Sequence, residues 1–326
     1  LVHSFAFRVL PSIVFFSSLM SMLYYIGLMQ KVVAFFAWIM QATLGTSGAE
    51  SLSAAANIFV GQTEAPLVIR PYISSMTVSE LNAVMVGGFA TIAGGVLAAF
   101  VGMGIDAGHL ITASVISAPA ALVIAKVMQP ETEHPKTLGH VEIDVQQKSV
   151  NLIEAASSGA SDGMKLAINV GAMLIAFLAI IAMLNGLIGW TGSWFGFTGP
   201  HTWSLERGLG YMFFPLAWLM GIPADECLLS GELLGIKMAA NEFLAYDRLG
   251  QIVNTEGPHA LSDRTVTILT YAISGFANFG SIGIQIGGIG GIAPQRRSDL
   301  ARLGLRAMIG GTLACFMTAC VAGILI

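Results

Sequence analysis

The sequence predicts an all-α polytopic membrane protein, an inverted repeat with two re-entrant helical hairpins and two broken transmembrane helices. Composition sets the class: of 326 residues, 55% are hydrophobic and only 10% charged, with a mean hydropathy of +0.76, against roughly 25% charged in soluble domains. Length sets the spans, because several uncharged stretches reach the about 20 residues that cross a bilayer. Interruption sets the rest. Twice, two half-length apolar pieces flank a polar tip carrying one glutamate, and the parts around both tips follow one order.

Residues 9–29 are charge-free and long enough for one span, with Pro11 near the entry. Residues 31–44 place Lys31, Trp38 and Gln41 among apolar positions, the pattern of an amphipathic helix in the interface. Residues 50–60 form a helix too short to span, followed by Gly61-Gln62-Thr63-Glu64-Ala65-Pro66 and a second short piece at 67–72. Irregular backbone at membrane depth survives only where protein or a watery cavity covers it, so this tip is expected to line a binding site. Thr77 and Ser79 offer N-caps for a Gly-rich span over 81–105, and 110–125, interrupted by Ser117 and Pro119, is marginal for a straight span.

Residues 129–149 carry Glu131, Glu133, Lys136, Glu142, Asp144 and Lys148 without apolar periodicity and read as the exposed linker between halves. The division is then a first repeat over 1–128, a linker over 129–150 and a second repeat over 151–326. In the second repeat, 151–161 is a short surface helix and 166–190 a full span bearing Asn169 and Asn185. Residues 204–220 make an interfacial segment rich in Trp and Phe; 226–240, Asn241-Glu242-Phe243 and 243–249 make the second hairpin, and 250–262 a loop. Within 265–293, Gly275-Phe276-Ala277-Asn278 echoes Gly88-Phe89-Ala90-Thr91 of the first half. Arg296, Arg297, Arg302 and Arg306 precede a last span over 307–326, which the positive-inside rule orients with its arginines in the cytoplasm.

Glu64 and Glu242 are the leading functional candidates, because a carboxylate at the bilayer centre costs several kcal/mol and is there for a ligand or a partner. The competing reading places each at a solvated loop tip. Gln62 and Thr63 add an amide and a hydroxyl beside Glu64, and Asn278 and Ser281 add the same pair in the second half, three apart on one face if the backbone is helical. Amide plus carboxylate reads the donor and acceptor edges of a small uncharged polar ligand. Asn57 and Thr91, with carbonyls exposed by breaks at Val60 and Ile92, suit a hard cation; the duller reading of Thr91 is a hydroxyl bonded back to its own helix. Phe276 either stacks on a ring or is core. Asp225, Glu226 and Glu50 are expected to cap helices or sit at hairpin mouths, and the six histidines show no metal-ligand spacing. Cys227, Cys315 and Cys320 lack CxxC spacing, so neither a disulfide framework nor a metal site is indicated. The chain opens on apolar sequence with no initiator Met or basic signal region, which predicts a piece of a longer protein.

Three blocks together carry a resemblance over essentially the whole chain: the tip at 61–66, Gly235-Ile236-Lys237 followed by Asn241-Glu242-Phe243-Leu244-Ala245-Tyr246, and Gly275-Phe276-Ala277-Asn278-Phe279-Gly280-Ser281-Ile282-Gly283. The chain resembles the concentrative nucleoside transporters. The resemblance implies a homotrimeric, multi-pass symporter of a bacterial inner membrane, with nucleoside and sodium as partners, no other cofactor and no nucleic acid. Its hairpins and broken helices would move elevator-fashion against a scaffold. By the same resemblance Gln62, Thr63 and Glu64 would read the nucleobase with Val96 lining its pocket, and Glu242, Asn278 and Ser281 would hold the ribose beside Phe276. Asn57, Val60, Thr91 and Ile92 would hold the sodium ion. Uridine-like pyrimidine nucleosides are the favoured substrate, with some purine nucleosides accepted. Proton coupling and another small polar solute are the alternatives. Family members begin with further transmembrane helices, which this sequence lacks. No HExxH, GxSxG or paired-aspartate pattern points to an enzyme, and the absence of an Arg at either tip argues against a carboxylate substrate.

Overall fold

In a computed structural model, residues 5–138, 149–196, 203–255 and 261–326 are described, and all their regular structure is helical. The centre of the predicted linker, 139–148, and 256–260 of the predicted loop lie outside the described residues. Helix α1 (Phe5–Tyr25) ends where Ile26 and Gly27, the latter at φ +80°, turn the chain by 81° into α2 (Leu28–Leu44). The span expected over 9–29 therefore stops four residues early, because left-handed backbone cannot continue the helix. On α2, Phe35 and Trp38 are 56% and 65% exposed, an apolar face turned outward.

The first hairpin is α3 (Gly48–Asn57), a tip, and two single turns, α4 (Ala65–Val68) and α5 (Arg70–Ile73). The piece expected over 67–72 is split because Pro66 and Pro71 each open a turn, and a proline has no N–H with which to continue the preceding one. Next come α6 (Val78–Ala90) and α7 (Gly94–Gly102), broken at 91–93, and α8 (Ala107–Met128), which continues unbroken past Pro119.

The second half opens on α9 (Leu152–Ser193), one continuous helix of 42 residues. This corrects the division into a surface helix over 151–161 and a separate span over 166–190. The polar run between them holds Ser, Gly and Asp but no proline, so hydropathy changes while the backbone continues. Gly159 and Gly163 on α9 lie against Ser17, Ser18, Ser21 and Val14 of α1, and their missing side chains allow the two helices to touch backbone to backbone. Then follow α10 (Leu205–Leu219), the second hairpin of α11 (Cys227–Ala239) and α12 (Glu242–Thr255), the broken pair α13 (Asp263–Ile273) and α14 (Phe279–Ile292), and α15 (Arg297–Leu325). Helix α12 runs six residues past the expected end at 249, through part of the expected loop.

Among the described residues, α6 with α7, α8 and α15 are long and apolar enough to cross a membrane, and the bent pair α1–α2 makes a fourth candidate. Helix α15 packs on α6, α8, α13 and α14, so the two broken helices share one central support. The four-letter echo is not structurally aligned: Gly88 lies inside α6, two residues before its end, whereas Gly275 lies two residues past the end of α13. The copies are thus out of register by one helical turn.

The N-termini of α3 and α6 are tied together. Ser47 forms a capping box with Glu50, Thr77 forms another with Glu80, and the Ser47 hydroxyl donates to Glu80 Oε1 at 2.5 Å. Thr77 is the cap of α6, while Ser79 donates to the Gln129 carbonyl. Glu50, 1% exposed, is neutralised by Lys126 at 2.7 Å. Lys126→Met leaves that carboxylate buried without its cation, so melting of the solubilised protein is expected to fall by the equivalent of about 3 kcal/mol. Adding Glu50→Gln is expected to restore most of the loss. Unchanged melting in the single variant would show that the pair carries no stability.

Candidate functional site

Both tips and both breaks face one cavity of about 140 Å³. Each wall follows from a local interruption of helix. Asn278 sits just before α14 with extended backbone (φ −140°), and its Oδ1 accepts from the Ser281 N–H at 2.9 Å. Its Nδ2 donates to Glu242 Oε2 at 3.1 Å, so one side chain caps a half-helix and aims a carboxylate. Asn241 caps α12 in the same way, accepting from the Leu244 N–H at 2.9 Å. This sets Glu242 in the first turn of α12, where the helix N-terminus favours negative charge.

From the opposite hairpin, Gln62 reaches across. Its Nε2 donates to Ser281 Oγ at 3.2 Å and its Oε1 accepts from Gln285 Nε2 at 3.0 Å, while Gln285 also donates to the Met85 carbonyl at 3.1 Å. A continuous polar chain therefore runs from Glu242 through Asn278, Ser281 and Gln62 to Gln285. Glu64 is exposed, and its carboxylate folds back over Gly61, where an added side chain would strike it. Beneath the second tip, Phe100 packs on Phe243 and Tyr246, with ring centroids 4.8 and 4.5 Å away, and the Tyr246 hydroxyl donates to the Thr270 carbonyl at 2.7 Å.

All eight residues singled out for a ligand line this cavity: Gln62, Thr63, Glu64, Val96, Glu242, Phe276, Asn278 and Ser281. Phe276 lies within the second break rather than before it, and Asn278 is a cap rather than a helical residue. The sequence reading missed Gln285, which lies one turn past Ser281 on the same face of α14. It also missed the apolar wall of Leu166 and Ile284.

Behind the first tip lies a second polar point. Asn57 ends α3 and is 1% exposed, yet neither its Nδ2 nor its Oδ1 has a hydrogen-bond partner. Gly87 faces it closely enough that a Cβ there would stand 3.3 Å from Nδ2. The Gly94 N–H donates to the Phe59 carbonyl at 3.0 Å, clamping the tip beside Val60 to the break at Thr91 and Ile92. The Thr91 hydroxyl donates to the Gly87 carbonyl at 2.9 Å, the back-bond named above as its duller role, which leaves its oxygen lone pairs uncommitted. A buried amide oxygen with no partner, at the C-terminal ends of α3 and α6, is the environment a hard cation stabilises.

This is an all-helical, multi-pass membrane architecture with its polar groups gathered where helices break, and comparisons with known proteins agree. A family model described as "Na+ dependent nucleoside transporter C-terminus" matches residues 109–323, and one described as "Nucleoside recognition" matches residues 6–107. The chain is 52% identical over 323 residues to an "Uncharacterized transporter" of Haemophilus influenzae, with 99% of this chain and 76% of that one covered. It is 50% identical over 334 residues to "Solute carrier family 28 member 3" of Eptatretus stoutii, covering 99% of this chain and 48% of that protein. The solved structure of CNTnw in an inward-facing substrate-bound state superposes with a TM-score of 0.92 at 50% identity, over 98% of this chain and 75% of that one. The chain belongs to the sodium-dependent, or concentrative, nucleoside transporter family, whose members are transporters rather than enzymes. It spans about half the length of that solute carrier relative.

Proposed function

We propose that this protein takes up nucleosides, uridine-like pyrimidine nucleosides before purine ones, by symport with sodium moving down its inward gradient. The observation that carries the reading is the single cavity joining both hairpin tips and both breaks through hydrogen bonds that span more than 200 residues of sequence. Gln62, Thr63 and Glu64 read the edge of the base, with Val96 against its ring and Phe276 beside the ribose. Glu242, Asn278 and Ser281 take the ribose hydroxyls, for which a carboxylate and an amide oxygen are strong acceptors. Sodium is a co-substrate held by Asn57, Val60, Thr91 and Ile92, which support the role through the unpartnered Asn57 amide.

The coupling follows from cost. With the cation bound, the first tip is held against its break and presents Gln62 to the base; half-filled, the site would carry unpaired polar groups through an apolar barrier. Only the full or the empty domain crosses, by elevator-like alternating access within a homotrimer of a bacterial inner membrane.

The test is uptake of radiolabelled uridine into proteoliposomes under a sodium gradient, repeated with a proton gradient alone. Sodium-dependent accumulation, competed by nucleosides and not by free bases, is expected. Asn57→Leu should remove the sodium dependence and most of the uptake. Accumulation driven by protons alone would transfer the coupling to the proton, and no accumulation under either gradient would point to another small polar solute.

A further inference from the structure

The two breaks differ in length and capping but share one arrangement, in which the last turn of a hairpin's leading helix faces the end of a broken helix's first half. At the first, Asn57 on the last turn of the hairpin's leading helix faces the end of α6. At the second, the last turn of the leading helix carries Lys237, 2% exposed, whose Nζ donates to the carbonyls of Ala272 at 2.9 Å and Ser274 at 3.3 Å. Ser274 is the first residue past α13, the place that Thr91 holds past α6. A lysine is almost never buried to this degree without a carboxylate partner, and both of these acceptors are neutral backbone oxygens. They stand at the negative end of the α13 dipole, freed where the helix stops.

We propose that Lys237 is a tethered cation: its ammonium supplies at the second break, permanently, the positive charge that a dissociable ion supplies at the first. The proposal borrows its comparison from the sodium reading of Asn57 but rests on the observed lysine contacts. Its consequence is an asymmetric site. The second hairpin stays fixed to its broken helix in every ion-loading state, so Glu242 and Asn278 are preorganised for substrate, whereas the first hairpin is ordered only when its ion is bound. Lys237 thus acts as a positioning residue, and cation control of the pocket is confined to the first tip.

Nucleoside affinity and melting temperature of the solubilised protein, titrated with NaCl at constant ionic strength in choline chloride, test this for the parent, Lys237→Met and Lys237→Arg. In choline, Lys237→Met is expected to bind uridine at least about tenfold more weakly than the parent and to recover with sodium along a steeper curve, its Hill coefficient raised by about one as a second ion enters the freed carbonyls. Lys237→Arg, which keeps the charge, is expected to follow the parent. A Lys237→Met slope equal to the parent's overturns the proposal. If that variant does not fold, crystals of the parent soaked in thallium decide: a thallium peak against the Ala272 and Ser274 carbonyls overturns it, and a second break free of thallium upholds it. A parent without any thallium peak at Asn57 would remove the sodium reading and leave this one standing.

Discussion

Replacing Glu242 with glutamine is expected to weaken uridine binding by about 100-fold or more, with charge-assisted hydrogen bonds contributing about 1.5–3 kcal/mol each. The carboxylate is 2% exposed and accepts from Asn278 Nδ2 at 3.1 Å on one side while lining the cavity on the other. Glutamine cannot serve both directions. Turned one way, its NH2 meets the Asn278 NH2, donor against donor; turned the other, it offers the ribose a donor where an acceptor stood. Stability should move oppositely, because removing a buried charge whose bonds are few lowers the desolvation cost of folding. Calorimetric binding and melting of the ligand-free variant separate the two effects. Near-normal uridine affinity would remove Glu242 from the ribose site, and a large drop in melting temperature would recast it as a structural residue.

Gly275→Ala is expected to destabilise the protein by about 3 kcal/mol or more, from backbone strain and overpacking together. Gly275 has φ +98°, and a Cβ there would stand 2.7–2.8 Å from the Phe89 and Ala90 backbone. The obstacle is main chain at the end of α6, so no rotamer change relieves it. The two breaks touch at this point, and the Cys315 thiol of α15 donates to the Ser274 carbonyl beside it. Gly45→Ala is the internal control. Its φ is +64° and nothing lies within 4 Å, so strain alone should cost about 1 kcal/mol. Melting temperature and monodispersity of the two variants make the comparison. Equal losses would show that strain, and not contact between the breaks, dominates at Gly275.

The interrupted character of the fold was legible because each interruption is a local event. Glu64 and Glu242 stand beside apolar runs too short to span, where a bare carboxylate in hydrocarbon would need a partner or water; the structure buries Glu242 against Asn278 and leaves Glu64 exposed. Boundaries were less legible. The polar run at 157–165 lowers hydropathy without breaking α9, since helix continuity depends on backbone hydrogen bonds, which Ser, Gly and Asp still make. The four-letter echo was misleading, because Gly88 lies inside α6 against Gln62 and Gln285 while Gly275 serves a turn.

For the site, the sequence alone determined which residues are costly to bury and therefore need partners: Asn57, Gln62, Glu64, Glu242, Asn278 and Ser281. Only the tertiary structure decided what those partners are. Gln62 meets Ser281 and Gln285 across more than 200 residues, Asn57 meets none, and Lys237 meets two carbonyls rather than an acid. The physical reason is a difference of range. The penalty for a polar group in an apolar medium belongs to the group and its immediate neighbours in sequence. Its relief depends on hydrogen-bond geometry to within a few tenths of an ångström, between segments that only the packing around α15 brings together.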